Sequence, residues 1–406
     1  MKQDLRPPSA GFLSGGDELL GPPMALKQPH QNPREGARRS KTFNATRHPL
    51  APMRLIWLNF IFMMLMIPSV FAQQPFHPGS RSVMDAHNCY PYGEWWDNRI
   101  DRALTAKPPL AIEQDPYWYV DPKTGQGRSV VAHGAPLSGH EPTLEHYFFD
   151  RVRPIMEQAL RDGNPGDWPL ITLNLDFKTE QPDHLAAVWQ LLNKYRNWIT
   201  TAPKSADAST VEPLDIKPLL VLTGESDAQQ LVFHDQVPVG ERLLVFGAVH
   251  TNKHDPMAAP DVIEPEPASN YRRWWNNPWS VVERGGQNEA GDWNKEDELR
   301  LRALVEHAHS NGLFIRFYTL DGATKEELSC NGWFASYNFG SPDAAQQRWQ
   351  AAARAGVDYI ASDQYEKLAS FLASDGGKMP GSFRTNLTLR RQYGNSNSAA
   401  SSQRSH

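Results

Sequence analysis

The sequence predicts a single α/β domain folded as a (β/α)8 barrel, and three observations carry that expectation. After Gln73, short apolar runs alternate with longer helical patterns, as in successive βα units feeding a parallel sheet. Eight such runs fall within about 300 residues, the usual size of an eight-stranded barrel. No Gly-rich phosphate loop opens a helix, which tells against the rival arrangement, a doubly wound open sheet.

The strand candidates in order are Ser82–Ala86, Leu110–Gln114, Leu170–Phe177, Pro218–Thr223, Leu243–Val249, Ser280–Glu283, Leu313–Thr319 and Val357–Ala361. The sixth is the least regular and lies in the Trp-rich stretch Trp274–Trp293. Helix candidates between them include Thr143–Arg161, His184–Trp198, Lys295–Asn311, Pro342–Ala355 and Tyr365–Ala373. Asn311-Gly312 and Ala355-Gly356 each place a glycine after a helical pattern and just before a strand, a common helix stop. Thr200–Asp215 reads as an inserted polar loop.

The flanks differ in texture from the barrel region. Residues 1–52 are rich in Pro, Gly, Arg and Ser without a sustained apolar period, so they read as disordered or as an over-extended reading frame. Met53-Arg54 then opens an apolar run from Leu55 to Ile67, and Val70-Phe71-Ala72 fits a small-residue cleavage site before Gln73. Residues 53–72 therefore read as a secretory signal. Against this, an uncleaved membrane anchor needs about 20 apolar residues, more than the run supplies. The barrel region spans 73–380, and 381–406 reads as a disordered tail.

Charge follows the same division. Residues 1–72 hold nine Lys/Arg against four Asp/Glu, whereas the remaining 334 hold 32 against 42. An acidic body excludes a nucleic-acid groove and simple electrostatic attachment to anionic lipid as leading functions. Membrane contact is expected only through a substrate.

Barrel chemistry collects where strands end at the C-terminal face. The first candidate ends Asp85-Ala86-His87-Asn88, the second Ile112-Glu113-Gln114-Asp115 and the third Asn174-Leu175-Asp176-Phe177-Lys178. Polar residues recur there at spacing two, which puts them on one face of an extended strand, the lumen face in a barrel. Charges crowded on that face are costly unless paired or bound to a metal. Glu113, Asp115 and Asp176 suit a hard, oxygen-liking cation such as Ca²⁺ or Mg²⁺. His133, in Val130-Val131-Ala132-His133-Gly134, adds a second histidine to His87. Two histidines suit a phosphodiester, which needs one group to deprotonate the nucleophile and one to protonate the leaving oxygen.

Taken together, His87-Asn88, Glu113-Gln114-Asp115 and His133-Gly134 resemble the His-Asn, Glu-x-Asp and His pattern of the phospholipase C-like phosphodiesterase superfamily of TIM barrels. Asp176-Phe177-Lys178 resembles its acidic-x-Lys element at the third strand, and Ala355-Gly356-Val357-Asp358 through Ser362-Asp363 is similar to the closing strands of glycerophosphodiester phosphodiesterases. Within the superfamily, His87-Asn88-Cys89-Tyr90 is similar to the opening His-Asn-Asp-Tyr of relatives of altered inheritance of mitochondria protein 6. The resemblance spans roughly Val83 to Leu372. It implies His87 and His133 as the acid–base pair, Asn88, Glu113, Asp115 and Asp176 as cation ligands, and Lys178 as a phosphate contact. Five positions depart from the pattern, Cys89 among them because it displaces the usual Asp. Asn88 replaces the Arg of glycerophosphodiesterases, Asp176 stands where Glu is usual, and Arg316 and Tyr318 occupy a strand that often carries Trp-Thr.

The expected function is hydrolysis of a glycerophosphodiester, a phosphoinositide or a related phospholipid head group. Which histidine serves as base is left open. Two other readings stand beside it: a secreted glycoside hydrolase using Glu113 and Asp176, with Trp274, Trp275, Trp279 and Trp293 stacking on sugar, and a catalytically silent binding barrel. Cys89 and Cys330 are the only two cysteines, and an exported chain favours their pairing across neighbouring rim loops. Export also fixes a terminus: mature protein from the native host is expected to begin at or near Gln73 on N-terminal sequencing. A product starting at Met1 or Met53 would overturn the signal.

Overall fold

Eight parallel strands close into a barrel: β1 (Val83–Ala86), β2 (Leu110–Gln114), β3 (Ile171–Leu175), β4 (Leu219–Thr223), β5 (Phe246–Ala248), β6 (Arg272–Pro278), β7 (Phe314–Tyr318) and β8 (Tyr359–Ser362). Each strand pairs with its sequence neighbours, and β1 pairs with both β2 and β8, which closes the ring. The (β/α)8 expectation holds. This computed structural model describes residues 76–91, 97–163, 168–264, 266–331 and 334–374. The segments read as 1–52, 53–72 and 381–406 lie outside the described residues.

Strand parity sorts the side chains. Met84, Ile112, Val221, Ile315 and Ile360 belong to the larger apolar cluster, the one that includes the helix residues. Their alternates Val83, Ala111, Leu220, Phe314 and Tyr359 form a second cluster with Leu222, Phe246 and Trp274. This second cluster is the lumen floor, and Phe76 stacks on Phe314 with ring centroids 4.6 Å apart. One step further along the same parity come Asp85, Glu113, Asn174 and Arg316, so the lumen turns from apolar to charged towards the C-terminal ends. The helix stops behave as read: Gly312 and Gly356 both adopt positive φ, 76° and 88°. The helix Lys295–Ser310 begins with a capping box, Asn294 and Asp297 each accepting from the other's backbone N–H.

Three expectations need correction. The sixth strand is Arg272–Pro278, not Ser280–Glu283. Its run of two Arg, two Trp and two Asn does not read as apolar, yet each side chain has a place. The Arg272 guanidinium donates to the carbonyls of Glu225 and Ala248, Trp274 sits in the lumen, and Asn276 accepts from Arg316 at 3.0 Å. Val281 and Val282 do bury, but around a single 3₁₀ turn, Trp279–Val281. The second correction concerns the cysteines, which are free: Cys89 is buried under the β1 end, whereas Cys330 is exposed on the helix Lys325–Asn331. The third removes the sugar platform, since Trp274, Trp275 and Trp279 are buried core residues and Trp293 packs half-buried against Trp279, centroids 6.0 Å apart.

Glu283, at the end of the misread strand, is held by Arg348 from the helix Pro342–Ala355, Nε to Oε2 at 2.9 Å and Nη2 to Oε1 at 2.7 Å. Both side chains are buried. Arg348→Met is expected to lower stability by about 3–5 kcal/mol in urea unfolding, because it strands a buried carboxylate. The charge-free double variant R348M/E283Q should recover more than half of that loss. A single variant as stable as the parent would show that this pair anchors nothing.

Candidate active site

The site begins where β1 ends. Parity turns His87 inward, 5% exposed, with Nδ1 3.0 Å from Asp363 Oδ1 and Nε2 3.6 Å from Glu113 Oε2. Asp363 directly follows β8, the strand paired to β1, so barrel closure brings the two together. Asn88 takes a left-handed backbone (φ 50°), which Asn tolerates better than most residues. Its Nδ2 donates to both Asp363 oxygens at 3.2 Å, and its Oδ1 accepts from the Tyr90 hydroxyl at 3.2 Å. From beneath, Arg99 donates to the carbonyls of His87 and Asn88 and reaches Asp363 Oδ2 at 3.4 Å, while the Tyr365 hydroxyl donates to His87 O at 2.6 Å. Burial alone would depress the His87 pKa, but the Glu113 charge and the Asp363 hydrogen bond outweigh it and hold the imidazole above its ordinary value. A further carboxyl, Asp321, accepts from Ser362 Oγ at 2.6 Å and from Asp363 N at 2.8 Å. Burial first, and then the Asp363 charge, push Asp321 up to about 7.

Glu113 stands on the lumen face of β2 and Asp115 one residue past its end, while Asp176 lies one residue past β3, the next strand. One oxygen from each of the three lies within 4.8 Å of the other two. Oxygens bound to one Ca²⁺ at about 2.3–2.6 Å stand no more than about 5 Å apart, so this spacing suits a single hard cation. Asp115 adds an independent sign. It is 1% exposed, yet neither carboxylate oxygen accepts a hydrogen bond among the described residues, although Lys178 Nζ stands 3.3 Å from Oδ2. Burial drives its pKa well up, against the pull of Lys178. Asp176 is half-exposed and pairs with Lys178 Nζ at 2.6 Å. Behind Glu113, Arg316 of β7 donates Nη2 to Oε2 at 2.8 Å and Nε to Asp85. Burial raises the Glu113 pKa, but His87, Arg316 and Lys178 together bring it below the usual value.

His133 reaches this rim by a device the sequence reading did not contain. Residues Pro116–Val120 and Gly127–Val131 form an antiparallel hairpin rising directly from Asp115. Pro116 pairs with Val131, and Ala132 N donates to Asp115 O at 2.9 Å, so the returning strand delivers His133 beside the residue where the hairpin began. The residue is exposed, but its ring lies against Tyr90 and Phe334, centroids 5.6 and 5.9 Å away. That partial enclosure, followed by the Lys178 charge, pushes the His133 pKa below its ordinary value.

Of the residues singled out from sequence, His87, Glu113, Asp115, Asp176 and Lys178 meet in one cluster, with Asn88 on its Asp363 side and His133 at the hairpin's return. Asp363, Arg316, Asp85, Arg99, Tyr365 and Asp321 had been given no role there. The strand-end rule applied to β8 would have found Asp363, and a charged residue inside an apolar strand was a signal for Arg316. Arg99 and Tyr365 lie on helices and carry no comparable signal.

No family profile and no curated protein sequence matches this chain. Among solved structures, it is similar to a glycerophosphoryl diester phosphodiesterase from Parabacteroides distasonis, at 13% identity over 75% of this chain and 88% of that one, with a TM-score of 0.37. It is also similar to a calcium-dependent phosphoinositol-specific phospholipase C from a Pseudomonas species, at 14% identity over 72% and 92%, with a TM-score of 0.41. A third is a glycerophosphodiester phosphodiesterase from Agrobacterium tumefaciens, at 15% identity over 72% and 100%, with a TM-score of 0.35.

The Asp363–His87 contact has a direct spectroscopic consequence. Asp363→Asn removes a charge that raises the imidazole pKa, so the His87 titration followed by NMR is expected to move to lower pH. An unmoved or raised midpoint would show that Asp363 does not set this histidine's charge.

Proposed function

We propose that this chain is a metal-assisted phosphoric diester hydrolase acting on a glycerophosphodiester or a phospholipid head group, with His87 and His133 as its acid–base pair. The observation that carries the reading is one cluster. His87 is buried between Asp363 and Glu113, next to Asp115, whose two buried oxygens have no hydrogen-bond donor among the described residues. The motif order His87-Asn88, Glu113-x-Asp115 and His133 supports it independently.

Glu113, Asp115, Asp176 and the second lone pair of Asn88 Oδ1 would hold a Ca²⁺ or Mg²⁺ ion, which supplies Lewis-acid polarisation of the phosphoryl group. The protein's own residues divide the proton work. His133, with its pKa lowered, is the neutral base that takes a proton from water or from a neighbouring hydroxyl of the substrate. His87, with its pKa raised, carries the proton that Nε2 gives to the leaving oxygen. Lys178 contacts a phosphoryl oxygen. A glycosidic reading is less well supported, because Trp274, Trp275 and Trp279, which would stack on sugar, are buried in the core. With residues 53–72 read as an export signal, the enzyme works as a secreted or periplasmic protein.

A phosphodiester reporter dye and phosphatidylinositol, assayed with and without chelator, test the proposal. His87→Ala and His133→Ala should each cost about 10²-fold or more in turnover, and excess chelator should abolish it until Ca²⁺ or Mg²⁺ is restored. The kcat/KM profile should be bell-shaped. Its acid limb reports His133, which must be neutral, and falls below the ordinary histidine value; its alkaline limb reports His87, which must be protonated, and falls above it. Full activity in both folded variants would remove the histidine mechanism. Rates unchanged by chelation would remove the cation.

A further inference from the structure

Two cationic side chains neutralise Asp85, Glu113, Asp115 and Asp176, and they are held in opposite ways. Arg316 is buried and engaged on three sides, Nε by Asp85, Nη2 by Glu113 and Nη1 by Asn276. A planar guanidinium tied at three points on the lumen wall has no second position to occupy. Lys178 is tied much less. Its backbone is fixed, with N donating to Pro116 O at 2.9 Å, but its side chain is 20% exposed and its firmest partner, Asp176, is half-exposed. Towards Asp115 it stands at 3.3 Å without satisfying either oxygen as a hydrogen-bond donor. An ammonium on a four-carbon stem, with three rotatable donors, can leave such a place at little cost.

We propose that Lys178 is the exchangeable counter-ion of Asp115 and Asp176: a divalent cation entering the triad takes its place, and the released ammonium turns to the phosphodiester. The inference rests on the triad being a cation site, as read above. Lys178 Nζ contacts Oδ2 of both Asp115 and Asp176, and these carboxylates are two of the three an entering ion would use. Two positive centres a few ångströms apart in a partly buried site repel strongly, so the more mobile one moves. Cation and phosphoryl anion therefore bind in concert, since each arrival satisfies the charge displaced by the other. Arg316 meanwhile stays on Glu113 and keeps that ligand in place.

Calorimetric titration of CaCl₂ and of MgCl₂ into the full chain, with dimethyl phosphate as an unreactive anion probe, tests the exchange without any turnover. Lys178→Met should bind the cation about tenfold or more tightly than the parent, the scale for removing one charge beside a partly buried carboxylate pair. Lys178→Arg, which keeps the charge, should stay close to the parent. In the parent, cation should tighten dimethyl phosphate binding, and in Lys178→Met that gain should shrink. Lys178→Gln takes the same part if thermal melts show that the Met variant is not folded. Cation affinity unchanged or weaker in the folded neutral variant overturns the exchange and leaves the triad intact. No cation bound by parent or variant overturns both.

Discussion

Charged side chains from β1, β2 and β7 meet inside the lumen, where Arg316 lies between Asp85 and Glu113 with all three residues buried. Taking such charges out of water costs several kcal/mol per ion, and only close pairing offsets it. The pairing is uneven. Asp85 keeps one oxygen without a hydrogen-bond partner among the described residues and burial raises its pKa despite Arg316, while His87, Arg316 and Lys178 bring the Glu113 pKa below its usual value. Arg316 therefore holds a carboxylate charged and aimed at the rim. Removing it would leave two buried acids to compete for a proton, and the residues above them would lose their fixed neighbour.

That cluster also explains why the site sits where it does. Below it, Trp274, Phe314 and Tyr359 fill the lumen and exclude water; above it, strand ends give way to loops that water reaches. The charged layer is the boundary between the two. A group placed just above this boundary feels a low dielectric on one side and solvent on the other, which is the setting in which a carboxylate or imidazole is most easily retuned. His87, Asp115 and Asp363 all stand there, and each has its pKa displaced.

How much of this was legible in the sequence depended on whether the signal was local. The spacing of Glu113 and Asp115 and the strand-end position of His87 are properties of single strands, and period-two reasoning recovered them. The β6 run was lost because Arg272, Trp274 and Asn276 earn their places from partners on other strands, the carbonyls of Glu225 and Ala248 and the guanidinium of Arg316. Asp363 and Arg99 belong to the site only after β8 closes onto β1. The hairpin from Pro116 to Val131 hid in plain composition, since its aromatic strand Tyr117-Trp118-Tyr119 reads equally well as a rim loop. The cysteines failed for a related reason. Proximity of loops at one rim says nothing of direction, and Cys89 turns into the core while Cys330 turns out.

The two histidines show how one rim makes opposite chemistry from the same residue type. His87 hangs from a barrel strand, between two carboxylates that the closed sheet holds in register, and they raise its affinity for a proton. His133 hangs from a hairpin outside the sheet, with aromatic rings for neighbours and the Lys178 charge nearby, and these lower it. The separation is a consequence of topology. A strand end shares its neighbours with the next strands, whose parity is also polar at this level, whereas a hairpin return meets whatever the loops bring. Environments that push two titratable groups apart are what an acid and a base working at one pH require. Lys178 bears on His133 directly and on His87 only through its neighbour, because the ammonium that pairs with Asp115 and Asp176 is also the cation that acts on His133 and on Glu113. A shift of that one side chain therefore changes the charge felt at His133 and at Glu113 together.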